Sequence, residues 1–222
     1  MNKKSFTLIE LLVAVAIIGI LVSLLLPVLS KARKKARGEV CISQIKQLNY
    51  ALNMFTEDND GYFPRLTYTP NGSYWTTWWM GENGTLYNTP IAGRPLNQYL
   101  GNSTAVAECP SDYGKTIADL HGSSYEQNNG YINGAIGKGS RGGKVHAETL
   151  TDVINPSYQV SIGEQSYYWR AKNSSNNIST VKATHSDWGR LNLGFVDGHV
   201  SANIYVPISL KTTAQYTLEN AP

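Results

Sequence analysis

The hydrophobic pattern divides the chain in two before composition is considered. From Leu11 to Ser30, twenty consecutive residues carry no charge, enough for a helix to cross the roughly 30 Å hydrocarbon layer of a bilayer. The run has no polar face, so it predicts a helix surrounded by lipid or by other apolar helices. Pro27 lies inside it. Lacking an N–H and crowding the carbonyl four residues back, it predicts a kink or local melting near Ser23–Pro27. Beyond Arg37 the pattern changes. Cys41, Ile45, Leu48, Leu52 and Phe55 recur at spacings of four, three, four and three, the apolar stripe of an amphipathic helix. The turn sequence at Asp58–Gly61 predicts its end, with Pro64 beyond. A single helix from Phe6 to about Asp58 would run for roughly 80 Å at 1.5 Å per residue.

After Gly61 helical periodicity fades and turn signals multiply (TPNGS, GENG, QNNGYINGAIGKGSRGGK, INPS). Short strands are predicted at Tyr158–Ile162, Ile178–Ala183, Leu191–Val196 and His199–Ile204. Asp197-Gly198, between two apolar runs, predicts a hairpin turn in which glycine supplies positive φ and aspartate tolerates it. The aromatic, loop-rich stretch Thr67–Asn133 yields no order of elements. The simplest architecture is α+β: a long N-terminal helix whose Cys41–Phe55 face packs on a small antiparallel sheet with long loops.

Charge sharpens this division. The net charge of +3 conceals seven cations at Lys3, Lys4, Lys31, Arg33, Lys34, Lys35 and Arg37, whereas Gly38–Pro222 holds 12 basic and 15 acidic residues. A mildly acidic downstream domain argues against a nucleic-acid footprint. The basic group at 31–37 follows the apolar run directly, where it can meet anionic headgroups. A cleaved secretory signal would need a shorter apolar core and a small-x-small site, and neither is present. Neither that reading nor a plain anchor explains Glu10. A carboxylate at mid-span costs on the order of 2.5–3.5 kcal/mol, less near the surface, and no opposite charge lies within the span. An α-amino group would supply one if the chain were cut before Phe6, within a helical turn of Glu10.

The sequence KSFTLIELLVAVAIIGILVSLLLP resembles the N-terminal signal of type IV pilins and type II secretion pseudopilins: a short basic leader, a small residue, Phe-Thr-Leu-Ile-Glu, then an apolar helix with a proline. The resemblance implies cleavage by a prepilin peptidase between Ser5 and Phe6, N-methylation of Phe6, and assembly roles for Glu10 and Pro27. Ser5 stands where the family usually has glycine. The implied organisation is a leader at 1–5, a transmembrane and assembly helix at 6–30, its amphipathic continuation at 31–60, and a β-rich extracytoplasmic head at 61–222. Downstream, the chain resembles a bacterial branch of pseudopilin-like proteins with a cysteine in this helix, a CPSD segment (here Cys109–Asp112) and a late histidine separated by nine residues from Asp-Gly; here eleven residues separate His185 from Asp197.

The implied function is structural. A single-pass inner-membrane subunit polymerises with itself and with other pilin-like subunits into a periplasmic or surface fibre, without catalysis or a cofactor. A pseudopilus is the first reading and a type IV pilus the alternative. A rival of another class is a membrane-anchored module binding carbohydrate or another ligand, for which Trp75, Trp78 and Trp79 would be the stacking residues; core packing is the competing account of these aromatics. Topology carries a conflict. Counting the α-amino group, three charges precede the span and five follow it, which by charge alone puts the head in the cytoplasm; the leader resemblance implies the opposite.

Other residues carry weaker signals. With only two cysteines and an extracytoplasmic head, Cys41 and Cys109 are expected to form a disulfide, with two buried thiols as the alternative. His185, Asp187, Asp197 and His199 are ligand types without an established metal spacing, so no metal site is expected. Glu57–Gly61 fails the EF-hand pattern, and a structural calcium elsewhere is not readable. Gly137–Gly142 matches G-x-G-x-x-G in letters only and reads as a loop.

Overall fold

The computed structural model describes residues 7–64, 79–82, 94–112, 117–128, 149–165, 189–207 and 213–218. Helix α1 spans Leu8–Asp58. The melting expected near Ser23–Pro27 is absent, because α1 is helical through the proline. Leu26 and Val28 flank Pro27, and the Ser23 hydroxyl donates to the Ile20 carbonyl (2.7 Å) inside the helix. Asn59–Gly61 end α1, with the Gly61 N–H donating to the Thr56 carbonyl (2.7 Å). The chain forms two compact units, Met1–Arg37 and Gly38–Pro222. The amphipathic part of α1 therefore belongs to the head.

Within the head, a four-stranded antiparallel sheet runs in the order β1 (Tyr125–Gln127), β2 (Val160–Glu164), β3 (Arg190–Phe195), β4 (Val200–Tyr205). A short helix α2 (Ile117–His121) precedes β1. Strand β2 begins two residues later than the apolar run predicts, because Pro156–Tyr158 form a turn and Gln159 pairs with Thr217. The predicted strand Ile178–Ala183 lies outside the described residues.

Period-two alternation places the two faces of β3 against different partners. Leu191, Leu193 and Phe195 join Val160, Ile204, Val206, Tyr216 and Leu218 in one buried cluster. The opposite face meets α1, whose buried stripe is Cys41, Ile45, Leu48 and Leu52, with Asn49 beside it. Asn49 is 1% exposed, and its Oδ1 accepts from the Ser161 hydroxyl (2.6 Å). That polar pin fixes helix against sheet.

Gly194 sets how closely they meet. A Cβ there would lie 2.8 Å from Ile45 Cγ2 and press on the Asn49 amide nitrogen. Gly194→Ala is therefore expected to destabilise the head by about 1–3 kcal/mol through overpacking. Gly38→Ala, on α1 with no atom within 4 Å of the added carbon, should stabilise by about 0.5–1 kcal/mol. Thermal unfolding of the two variants checks the opposite signs.

Candidate functional site

The sequence-predicted assembly residues lie on the first unit. Every side chain from Leu8 to Ser30 is exposed, the large hydrophobics ranging from 44% at Val22 to 78% at Leu8. The helix is long and apolar enough to cross a membrane.

At its start Thr7 and Glu10 form a reciprocal cap. Glu10 Oε2 accepts from the Thr7 N–H (2.9 Å) and the Thr7 hydroxyl (2.7 Å), while the Glu10 N–H donates to Thr7 Oγ1 (3.3 Å). Two of the N–H groups that a helix start leaves without intrahelical partners are thereby satisfied. This second role for Glu10 was missed by reasoning from charge, although the capping signature T-x-x-E is written at Thr7–Glu10. Ser5 and Phe6 lie outside the described residues.

The remaining candidates are in the head. Cys41 and Cys109 are both buried in the α1-facing core, as thiols rather than the expected disulfide. The Tyr125 hydroxyl lies close to both thiols and donates to Gln44 Oε1 (2.6 Å). Burial, with both thiols adding to it, pushes the Tyr125 phenol well above its ordinary value.

The CPSD segment has a local structural role. Asp112 accepts from the N–H groups of Ile117 (3.2 Å) and Ala118 (3.0 Å) at the start of α2 and from the Ser124 hydroxyl (2.8 Å), and Ser124 in turn accepts from the Cys109 N–H (3.0 Å).

Asp197 and Gly198 lie in the four-residue connection Val196–His199 from β3 to β4, closed by the Phe195 N–H to the His199 carbonyl (2.9 Å). Only Gly198 has positive φ (91°). Asp197 acts through its carboxylate, which accepts from the His199 N–H (3.1 Å) and lies 2.6 Å from His199 Nδ1. The His199 ring stacks on Phe195 at 4.2 Å. His185 and Asp187 lie outside the described residues, as do Trp75 and Trp78, while Trp79 is buried in the core at 2% exposure. Among the described residues no cluster of three or more His, Cys, Asp or Glu is placed to hold a metal.

Comparison with known proteins bears on the first unit and part of the second. The profile of the prokaryotic N-terminal methylation motif matches residues 1–26. The chain is 43% identical over 61 residues to the type IV wide pilus major component PilA4 of Thermus thermophilus (28% of this chain, 47% of that protein). It is 38% identical over 61 residues to the type II secretion system core protein G of Pectobacterium carotovorum (28% of this chain, 39% of that protein). The corresponding protein of Pseudomonas aeruginosa matches over 111 residues at 33% identity, covering 46% of this chain and 77% of the relative. Against Pectobacterium and Thermus the chain spans 39% and 47% of the relative's length. No solved structure matches. With its long apolar helix and small antiparallel sheet, the chain belongs to the family of type IV pilins and type II secretion pseudopilins. That family consists of structural subunits.

Proposed function

We propose that the chain is a pseudopilin-like subunit: inserted in the bacterial inner membrane with its head outside the cytoplasm, cleaved before Phe6, and polymerised with itself and other pilin-like subunits into a secretion-type pseudopilus. The observation that carries this reading is a helix apolar on every side, exposed along Leu8–Leu29, with a single carboxylate at its start. A plain anchor needs the apolar length but not Glu10. In a fibre the helices bundle away from water, where an unpaired charge is costly. The amino group of Phe6 on a neighbouring copy is the compensating cation, and pairing with it fixes the axial register of the two chains. A type IV pilus subunit is the second reading, favoured by the 43% identity to the Thermus pilus component.

Leader removal is the direct test. Membrane-extracted protein from cells with an active prepilin peptidase should give a 217-residue chain beginning at N-methylated Phe6. An intact Met1 terminus in those cells would overturn the processing step.

A further inference from the structure

From the helix that carries the apolar run, we infer that Lys31, Arg33, Lys34, Lys35 and Arg37 form a binding surface for anionic phospholipid headgroups in the unassembled, inserted subunit. This rests on the membrane-inserted reading above.

Three observations carry it. First, the charge is concentrated and exposed: five cations fall within seven residues, and residues 31–36 are all exposed. No hydrogen bond or ion pair to a described residue engages Lys31, Arg33, Lys34 or Lys35. Second, the spacing is unfavourable for an isolated helix. Lys31–Lys34, Lys31–Lys35, Arg33–Arg37 and Lys34–Arg37 are like-charge pairs at three or four residues, each of which weakens a helix that lacks a counter-anion. One carboxylate, Glu39, lies between Glu10 and Glu57.

Third, the dimensions fit. The uncharged run ends at Ser30 and the cations begin at Lys31. From Lys31 to Arg37 the helix rises about 9 Å at 1.5 Å per residue. A headgroup layer is about 5–8 Å thick, half the difference between the full bilayer and its hydrocarbon core. At 100° per residue the five cations cover rather more than half of the circumference, with Ala32 and Ala36 on the remaining side. Ammonium and guanidinium groups so arranged would meet several phosphates at once, and charge-assisted bonds to phosphate are the strong kind.

The test uses the full-length chain in nanodiscs of phosphatidylglycerol and phosphatidylcholine in equal amounts. Carbonate resistance in matched vesicles scores insertion, and native mass spectrometry scores which lipids stay bound. Phosphatidylglycerol should be enriched at least about threefold over phosphatidylcholine. The enrichment should disappear in the K31Q/R33Q/K34Q/K35Q variant and in about 0.5 M salt, and should withstand millimolar inorganic phosphate. An inserted wild-type chain without enrichment overturns the inference and leaves the membrane reading standing, as does a variant that keeps the enrichment. Failure to insert overturns both. Displacement of lipid by free phosphate, or cross-links from these lysines to carboxylates of a second copy in place of lipid, assigns the surface to another anion.

Discussion

Glu10→Leu is expected to leave membrane insertion and removal of Met1–Ser5 at the wild-type level while fibre yield falls about tenfold or more, the scale of one lost charge-assisted bond between subunits. Insertion depends on Leu11–Leu26, which the substitution does not touch. Two roles of Glu10 are lost together, however: the cap on Thr7, worth about 0.5–2 kcal/mol at a helix start, and the charge offered to a neighbour's Phe6. Glu10→Gln separates them. Glutamine serves at this position of a capping box and can accept from the Thr7 N–H and hydroxyl as Glu10 Oε2 does, but it carries no charge. Pairing predicts that the glutamine variant assembles as poorly as the leucine variant. Fractionation and sheared-fibre yield in one strain give both readouts. Wild-type assembly by Glu10→Gln assigns the requirement to the cap, and wild-type assembly by Glu10→Leu removes both roles.

What the sequence made legible follows the range of the forces involved. The absence of charge from Leu11 to Ser30 and the stripe from Cys41 to Phe55 are local patterns, and α1 follows them to its end at Asp58. Strands β3 and β4 lie close to the predicted runs because alternation and the Asp-Gly turn are also local. Strand β1 was invisible. It is three residues long, and Glu126 and Gln127 are buried at 5% and 0%, so its polarity points away from the interior it occupies. Its burial is imposed by neighbours distant in sequence, such as Glu164 and Gly163 of β2. The thiol pair has the same lesson, since Tyr125, 84 residues from Cys41 in the chain, is buried in the same core as the two thiols. Thr7 is the opposite case: its signal, the T-x-x-E of Thr7–Glu10, is wholly local.

Arg94 carries no sequence signal, and its removal carries the second large expected effect. It is 3% exposed. Its Nη1 donates to the Met80 carbonyl and its Nη2 to the His121 carbonyl (3.0 Å), tying the segment at 79–82 to the end of α2. Asn97 completes the junction, with its side chain bonding the Gly81 N–H and carbonyl, both at 2.8 Å. Gly122 has positive φ (79°), and a Cβ there would come within 2.5 Å of Arg94 Nη2.

Burial lowers the guanidinium to about 10, opposed by Glu82, so it remains charged at neutral pH. Arg94→Met keeps much of the volume and loses every donor. Two buried carbonyls then lose their partner, at about 1–3 kcal/mol each, and the melting temperature should fall by about 5–15 °C for a head of this size. Arg94→Lys should rescue only part, because a single ammonium lacks the fork.

The same junction predicts a pH dependence. Burial, with Arg94 adding to it, lowers the His121 imidazole to about 4, against about 6.5 in the unfolded chain. The unfolded state therefore binds the proton first. The contribution is fully present above about pH 6.5 and declines by up to about 3 kcal/mol as pH falls toward 4. Without Arg94 the imidazole should titrate nearer its ordinary value, so the loss on acidification becomes smaller. Melting temperatures of full-length wild type and Arg94→Met in micelles at pH 7.5 and 5 test both statements. A methionine variant within a few degrees of wild type at pH 7.5 would show that Arg94 does not hold the junction together.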